Sequence, residues 1–83
     1  MKSVTVYTTN HCPYCTRVKN LLKSKNIPFQ EIDLTNNSAK REALEAQTGW
    51  MTVPMVFIGD KFIGGSDSLD ELSRSGELSK LLQ

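Results

Sequence analysis

The sequence predicts an α/β domain: a four-stranded mixed sheet flanked by helices, in the order β-α-β-α-β-β-α. Three observations predict it. The chain opens with an alternating β-branched segment followed by a helical stripe and a second strand, which is a βαβ unit. Met55-Val-Phe-Ile58 is a continuous apolar run of strand length. A turn at Gly59-Asp60 then sends the chain back as a hairpin.

Val4-Thr-Val-Tyr-Thr8 alternates apolar and polar residues and reads as the first strand. The loop Thr9-Asn-His11 leads into Cys12-Pro13, after which Cys15, Val18, Leu21 and Leu22 recur at three- and four-residue spacing. Pro13 suits the first helical position, where its missing N–H would have had no partner. Lys23 and Lys25 fall at the end of this helix, where cations complement the dipole, and Ile27-Pro28 stops it. Phe29–Leu34 reads as a second strand, parallel to the first because a helix lies in the crossover. Asn36-Asn-Ser38 offers caps for a helix carried by Ala39, Ala43, Leu44 and Gln47 and ended at Thr48-Gly49. Met55–Ile58 is expected to be buried on both faces, and Lys61–Ile63 pairs back against it. Ser68-Leu-Asp-Glu71 fits a capping box opening a helix with Leu69 and Leu72. Leu78, Leu81 and Leu82 add a final apolar stripe. This element order is the thioredoxin-like architecture in miniature.

The whole is one domain, residues 1–83, since 83 residues cannot hold two independent cores. Hydrophobic residues at 39% and charged residues at 23% describe an ordinary globule rather than a disordered chain. No apolar stretch approaches the roughly 18 residues needed to cross a bilayer, and no signal-peptide core precedes the first strand. A cytoplasmic monomer is therefore expected. The net charge of +1 lacks the basic excess that nucleic-acid binding requires. That total conceals a split. Residues 1–30 carry five bases and no acid, whereas residues 31–83 carry five bases against nine acids.

The two cysteines, Cys12 and Cys15, lie in the basic part. A structural zinc site usually needs four Cys or His ligands, and the chain has two cysteines and one histidine, His11. No metal site within one chain is expected; a cluster shared between chains stays open. A structural disulfide across so small a loop gains little. The redox reading explains the placement. Cys12 falls at the start of a helix, where unpaired N–H groups and the dipole favour an anion. Cys15 follows on the same face, with α-carbons roughly 5–5.5 Å apart, within disulfide range. A free thiol with a pKa of about 8.5 is only about 3% thiolate at pH 7. A helix terminus contributes at most about 2 kcal/mol, or under about 1.5 decades. Further stabilisation is expected from the Tyr14 and Cys15 N–H groups, the Cys15 S–H, and positive charge at His11 or Arg17. His11 fits a solvated loop position equally well.

Cys12-Pro-Tyr-Cys15 after a strand, Thr52-Val-Pro54 before a strand and Gly64-Gly-Ser-Asp67 before a helix together resemble the dithiol glutaredoxins, over essentially the whole chain. The similarity is greatest to the bacterial glutaredoxin-3-like group, which the Ala39-Lys-Arg-Glu42 stretch also resembles. The resemblance implies reduction of mixed disulfides with glutathione. Cys12 is then the nucleophile, Cys15 resolves protein mixed disulfides, and glutathione is a co-substrate with no tightly bound cofactor. It implies a cis Pro54, with the Val53 backbone pairing to the cysteinyl part of glutathione and Thr52 in the same loop. Tyr14 projects beside the thiols. Gly65, Ser66 and Asp67 are implied to hold the γ-glutamyl end, although Asp67 and Ser68 also suit a helix cap.

Two positions depart from the family pattern. Thr9 stands where many relatives have lysine, and Trp50 where they have a cationic residue or glutamine, both facing the glycine carboxylate. Trp50 either lines the substrate groove or fills a gap beside the sheet. Partners expected from the resemblance are glutathione and disulfide-containing or glutathionylated proteins. Two alternatives stand beside this reading. One is a hydrogen donor to ribonucleotide reductase recycled by thioredoxin reductase, whose kind lacks the Gly-Gly-x-Asp segment. The other is a glutathione-ligated iron–sulfur carrier, which usually has a single cysteine in C-G-F-S.

Overall fold

In the computed structural model, which describes residues 2–83, the β-branched segment Val4–Thr8 forms β1, with Val4, Val6 and Thr8 buried and Thr5 and Tyr7 half-buried on the other face. Pro13–Ser24 follows as α1, with Pro13 opening the first turn and Cys15, Val18 and Leu22 on the buried side. Gln30–Asp33 is β2, shorter than the six residues expected, and runs parallel to β1. Ser38–Thr48 forms α2. Asn37 caps it by accepting the Lys40 N–H at 3.1 Å, and Gly49 ends it in the left-handed region.

Met55–Ile58 is β3, buried at every position. It lies antiparallel to β1 and to Lys61–Gly64, which is β4. The strand order is β2-β1-β3-β4. β1 and β3 are therefore central, which is why their side chains carry most of the sheet's burial.

One helix boundary differs from expectation. α3 spans Ser66–Ser75 with Gly65 at its N-cap and no side-chain cap. The helix thus begins two residues before the capping-box serine. Ser68 lies inside the first turn, where its hydroxyl caps nothing. The reason lies in the glycines before it. At Gly64, φ is +122° and an added Cβ would stand 2.5 Å from the Ser68 hydroxyl oxygen. That conformation fits glycine, and it lets the chain enter the helix early. The final helical region is also divided: Gly76 (φ 83°) separates α3 from α4, Glu77–Leu82.

Two apolar clusters fill the space on the two faces of the sheet. Val4, Val6, Val56 and Ile58 meet Val18, Leu22, Leu69, Leu78 and Leu82 beneath α1, α3 and α4. Leu34, Leu44, Met55 and Phe57 pack beneath α2. Full burial of a side chain such as Leu22 contributes roughly 1.5–3 kcal/mol. The first cluster anchors α1 against the strand that precedes it. That anchoring fixes where Cys12 emerges.

Candidate active site

Cys12 is the N-cap of α1, in extended conformation. Its position follows from the proline after it: Pro13 occupies the first helical position and leaves the preceding residue extended. The Cys12 sulfur accepts the Cys15 backbone N–H at 3.2 Å. Of the donors expected from sequence, the structure supplies this one and the Cys15 thiol, which also hydrogen-bonds to Cys12. The Cys12 S–H donates in turn to the Val53 carbonyl oxygen at 3.9 Å.

Cys15 lies one turn along the same helix and is 2% exposed. Burial pushes its thiol up to about 12, helped by its hydrogen bond to Cys12 and by the nearby Cys12 charge; the Thr9 backbone and the Lys19 charge act the other way. Both cysteines are free thiols. The pair is therefore asymmetric, with a partly exposed sulfur held by a helix N–H and a buried one that keeps its proton.

Beside Cys12 runs a groove of about 310 Å³. Tyr14, Thr52, Val53, Pro54, Gly65, Ser66 and Asp67 all line it, so three separate segments of the chain meet there. The Val53–Pro54 peptide is cis. The opposite wall is the start of α3, whose first-turn N–H groups have no partner within the helix. Asp67 is the acidic residue of that turn.

Two further residues line this groove. Ser68, read from sequence as a cap, is one. Trp50 is the other, and it satisfies both readings made of it. It lines the groove and also stacks edge-on against Phe62 at 5.8 Å between ring centroids. An added Cβ at Gly65 would meet the Trp50 ring at 3.3 Å and the Pro54 carbonyl oxygen at 3.4 Å. The absence of a side chain at Gly65 is what brings the indole against the start of α3.

The basic residues do not converge on the groove. Arg17 sits over the Tyr14 ring at 5.9 Å, and Lys19 pairs with Glu31 at 3.0 Å. His11 is exposed, with φ 56°. Thr9 lies in a second cleft, with Cys12, Lys19 and Glu31. Sequence reasoning passed over the Lys19–Glu31 pair, because its members lie on different elements.

The comparisons with known proteins agree with this geometry. The family model described as glutaredoxin matches residues 4–63. Glutaredoxin 3 of Escherichia coli (strain K12) is 46% identical over 83 residues, covering the whole of both chains. A glutaredoxin of Pseudomonas aeruginosa is 44% identical over 82 residues, 99% of this chain and 98% of the relative. Among solved structures, a buckwheat glutaredoxin–glutathione complex superposes with a TM-score of 0.91 at 41% identity, covering 95% of this chain and 74% of that one. The glutaredoxin of Brucella melitensis gives 0.88 at 40% identity, covering 99% and 89%. The chain belongs to the glutaredoxin family, in its glutaredoxin-3-like group, and is a thiol–disulfide oxidoreductase whose redox-active pair is Cys12 and Cys15.

Proposed function

We propose that the protein reduces mixed disulfides of glutathione, with glutathione as its reductant, and reduces protein disulfides through both cysteines. The observation that carries this reading is the position of the Cys12 sulfur. It lies against the Val53 carbonyl, at a groove whose other wall is a helix N-terminus.

In the first reaction the Cys12 thiolate attacks the glutathione sulfur, and the partner thiolate leaves and takes a proton from water. The product is a Cys12–glutathione disulfide. A second glutathione thiolate attacks the glutathione sulfur of that intermediate, which returns the Cys12 thiolate and releases glutathione disulfide. In the second reaction Cys12 attacks a protein disulfide. Cys15 then attacks the Cys12 sulfur, and the target leaves reduced.

The groove suits a peptide that carries carboxylates at both ends and an amine at one. Backbone N–H groups at Gly65, Ser66 and Asp67 suit the γ-glutamyl carboxylate, as helix N-termini do generally, and the Asp67 carboxylate suits the amine. The Val53 backbone, with Thr52 and Pro54 beside it, suits the cysteinyl amide. Tyr14 and Trp50 give apolar walls. No lysine lines the groove, so recognition leans on backbone donors and Asp67. The buckwheat neighbour was solved as a complex with glutathione, which supports glutathione as the ligand.

Turnover of a mixed disulfide between glutathione and a small thiol tests it. Cys12→Ser is expected to abolish turnover and Cys15→Ser to retain most of it. Equal loss in the two variants would contradict the proposed division of roles.

A further inference from the structure

The second cleft, about 390 Å³, shares no lining residue with the groove. It contains a chain of three polar side chains from three elements. Thr8 of β1, 2% exposed, donates its hydroxyl to a Glu31 carboxylate oxygen at 2.8 Å. The same oxygen of Glu31, on β2, accepts from the Lys19 ammonium at 3.0 Å. Lys19 is on α1, four residues beyond Cys15, and so shares its face of the helix. The lysine's hydrogen bond, and then the threonine's, hold the Glu31 carboxyl below its ordinary range, so it is a fixed anion at neutral pH.

The cleft therefore holds an ammonium oriented by a carboxylate that is itself anchored to the sheet. We infer that Lys19, held by Glu31 and Thr8, is a positioning residue for the resolving step: its ammonium stabilises the negative charge on the Cys15 sulfur as that sulfur attacks Cys12. The inference rests on the dithiol reading above and deepens it. Cys15 meets a difficulty that Cys12 does not, since it must release its proton from a buried site.

The step balances as follows in atoms and electrons. Cys15 gives its proton to water, and its sulfur attacks the Cys12 sulfur of the Cys12–S–S–R intermediate. The Cys12–S–S–Cys15 bond forms, and the bond to R breaks. R leaves as a thiolate, takes a proton from water and is the reduced product, while Cys15 is oxidised.

The surroundings leave Lys19 little competition. Cys12, at the N-cap of α1, precedes Cys15 by one turn, and Lys19 follows it by one turn on the same face. β1 presents Thr8 and then the Thr9 backbone, β3 carries no titratable residue, and α3 places Asp67 on the other groove. Glu31 and Asp33 of β2, with His11 of the loop, complete the cleft.

The test isolates the resolving step. Cys12 is loaded by reaction with glutathione disulfide, which releases one glutathione, and release of the second is followed as Cys15 closes the ring, from neutral to mildly alkaline pH. Lys19→Gln is expected to slow closure about 5- to 10-fold at neutral pH. Its pH profile should move upward, and Lys19→Arg should restore most of the rate. In a Cys15→Ser background, Lys19→Gln should leave turnover of glutathione mixed disulfides unchanged. An unaltered closure rate and pH profile would overturn the inference. So would an equal fall in the Cys15→Ser background, which would place the lysine's effect on Cys12 or on glutathione. If Cys12 takes up no glutathione at all, the functional reading fails first and the inference falls with it.

Discussion

Trp50 shows how much one side chain can carry in this groove. It reaches the start of α3 because Gly65 presents no Cβ to its ring. The sequence left its role divided between groove wall and sheet packing, and contact with Phe62 makes it both. It is also the sole tryptophan, so its fluorescence reports on the groove without labelling. Loading Cys12 of Cys15→Ser with glutathione should change Trp50 emission, and Trp50→Ala should weaken glutathione binding several-fold. An unchanged affinity in Trp50→Ala would reduce the indole to a packing role. The positions facing Trp50 were less legible. Ser68 was read as a cap and proves to be a groove residue, because the glycine pair before it, rather than its own hydroxyl, decides where the helix starts.

Helix starts separate legible elements from illegible ones. α1 and α2 announce themselves through Pro13 and Asn37, local signals that tertiary contacts do not override. The α3 pattern Ser68-Leu-Asp-Glu71 is an equally good local signal, but the backbone conformation at Gly64 and Gly65 outweighs it. These assignments predict different costs. Asn37→Ala removes the acceptor of the Lys40 N–H and should destabilise by about 1 kcal/mol. Ser68→Ala removes no cap and should cost well under that. Chemical denaturation of the two variants measures both; a Ser68→Ala cost equal to that of Asn37→Ala would restore the capping box. The three-element chain of Thr8, Lys19 and Glu31 lay beyond sequence reasoning altogether. Parallel pairing of β1 and β2 brings Glu31 opposite Val6, and register of that kind is a property of the assembled sheet.

Across the whole molecule the charge split seen in the sequence acquires a location. The five bases of the first thirty residues do not form a positive face on the groove: one lies over Tyr14 and another is neutralised by Glu31. The pH dependence of stability follows from groups on the same region. Glu31 and Asp33 have lowered pKa values, through hydrogen bonds from Lys19 and Thr8 and from Thr35 respectively. Their contribution is present above the ordinary carboxylate range and is lost as pH falls through their folded values. Cys15 acts at the other end. In the unfolded chain its thiol ionises near 9, but in the folded protein only near 12. Between those values the unfolded state binds fewer protons, so the reduced protein should lose stability as pH rises through that window. Thermal unfolding of the reduced protein and of Cys15→Ser checks this: the variant should show the shallower alkaline decline, and parallel curves would contradict the burial of an uncharged Cys15.

The account's central claim is that the groove delivers the glutathione sulfur to Cys12. Exposing Cys15→Ser to glutathione disulfide and determining the mass and attachment site of the product tests it most directly. One glutathione per chain, on Cys12, that is removed by added glutathione is the predicted result. No adduct, or an adduct that added glutathione leaves in place, would contradict it.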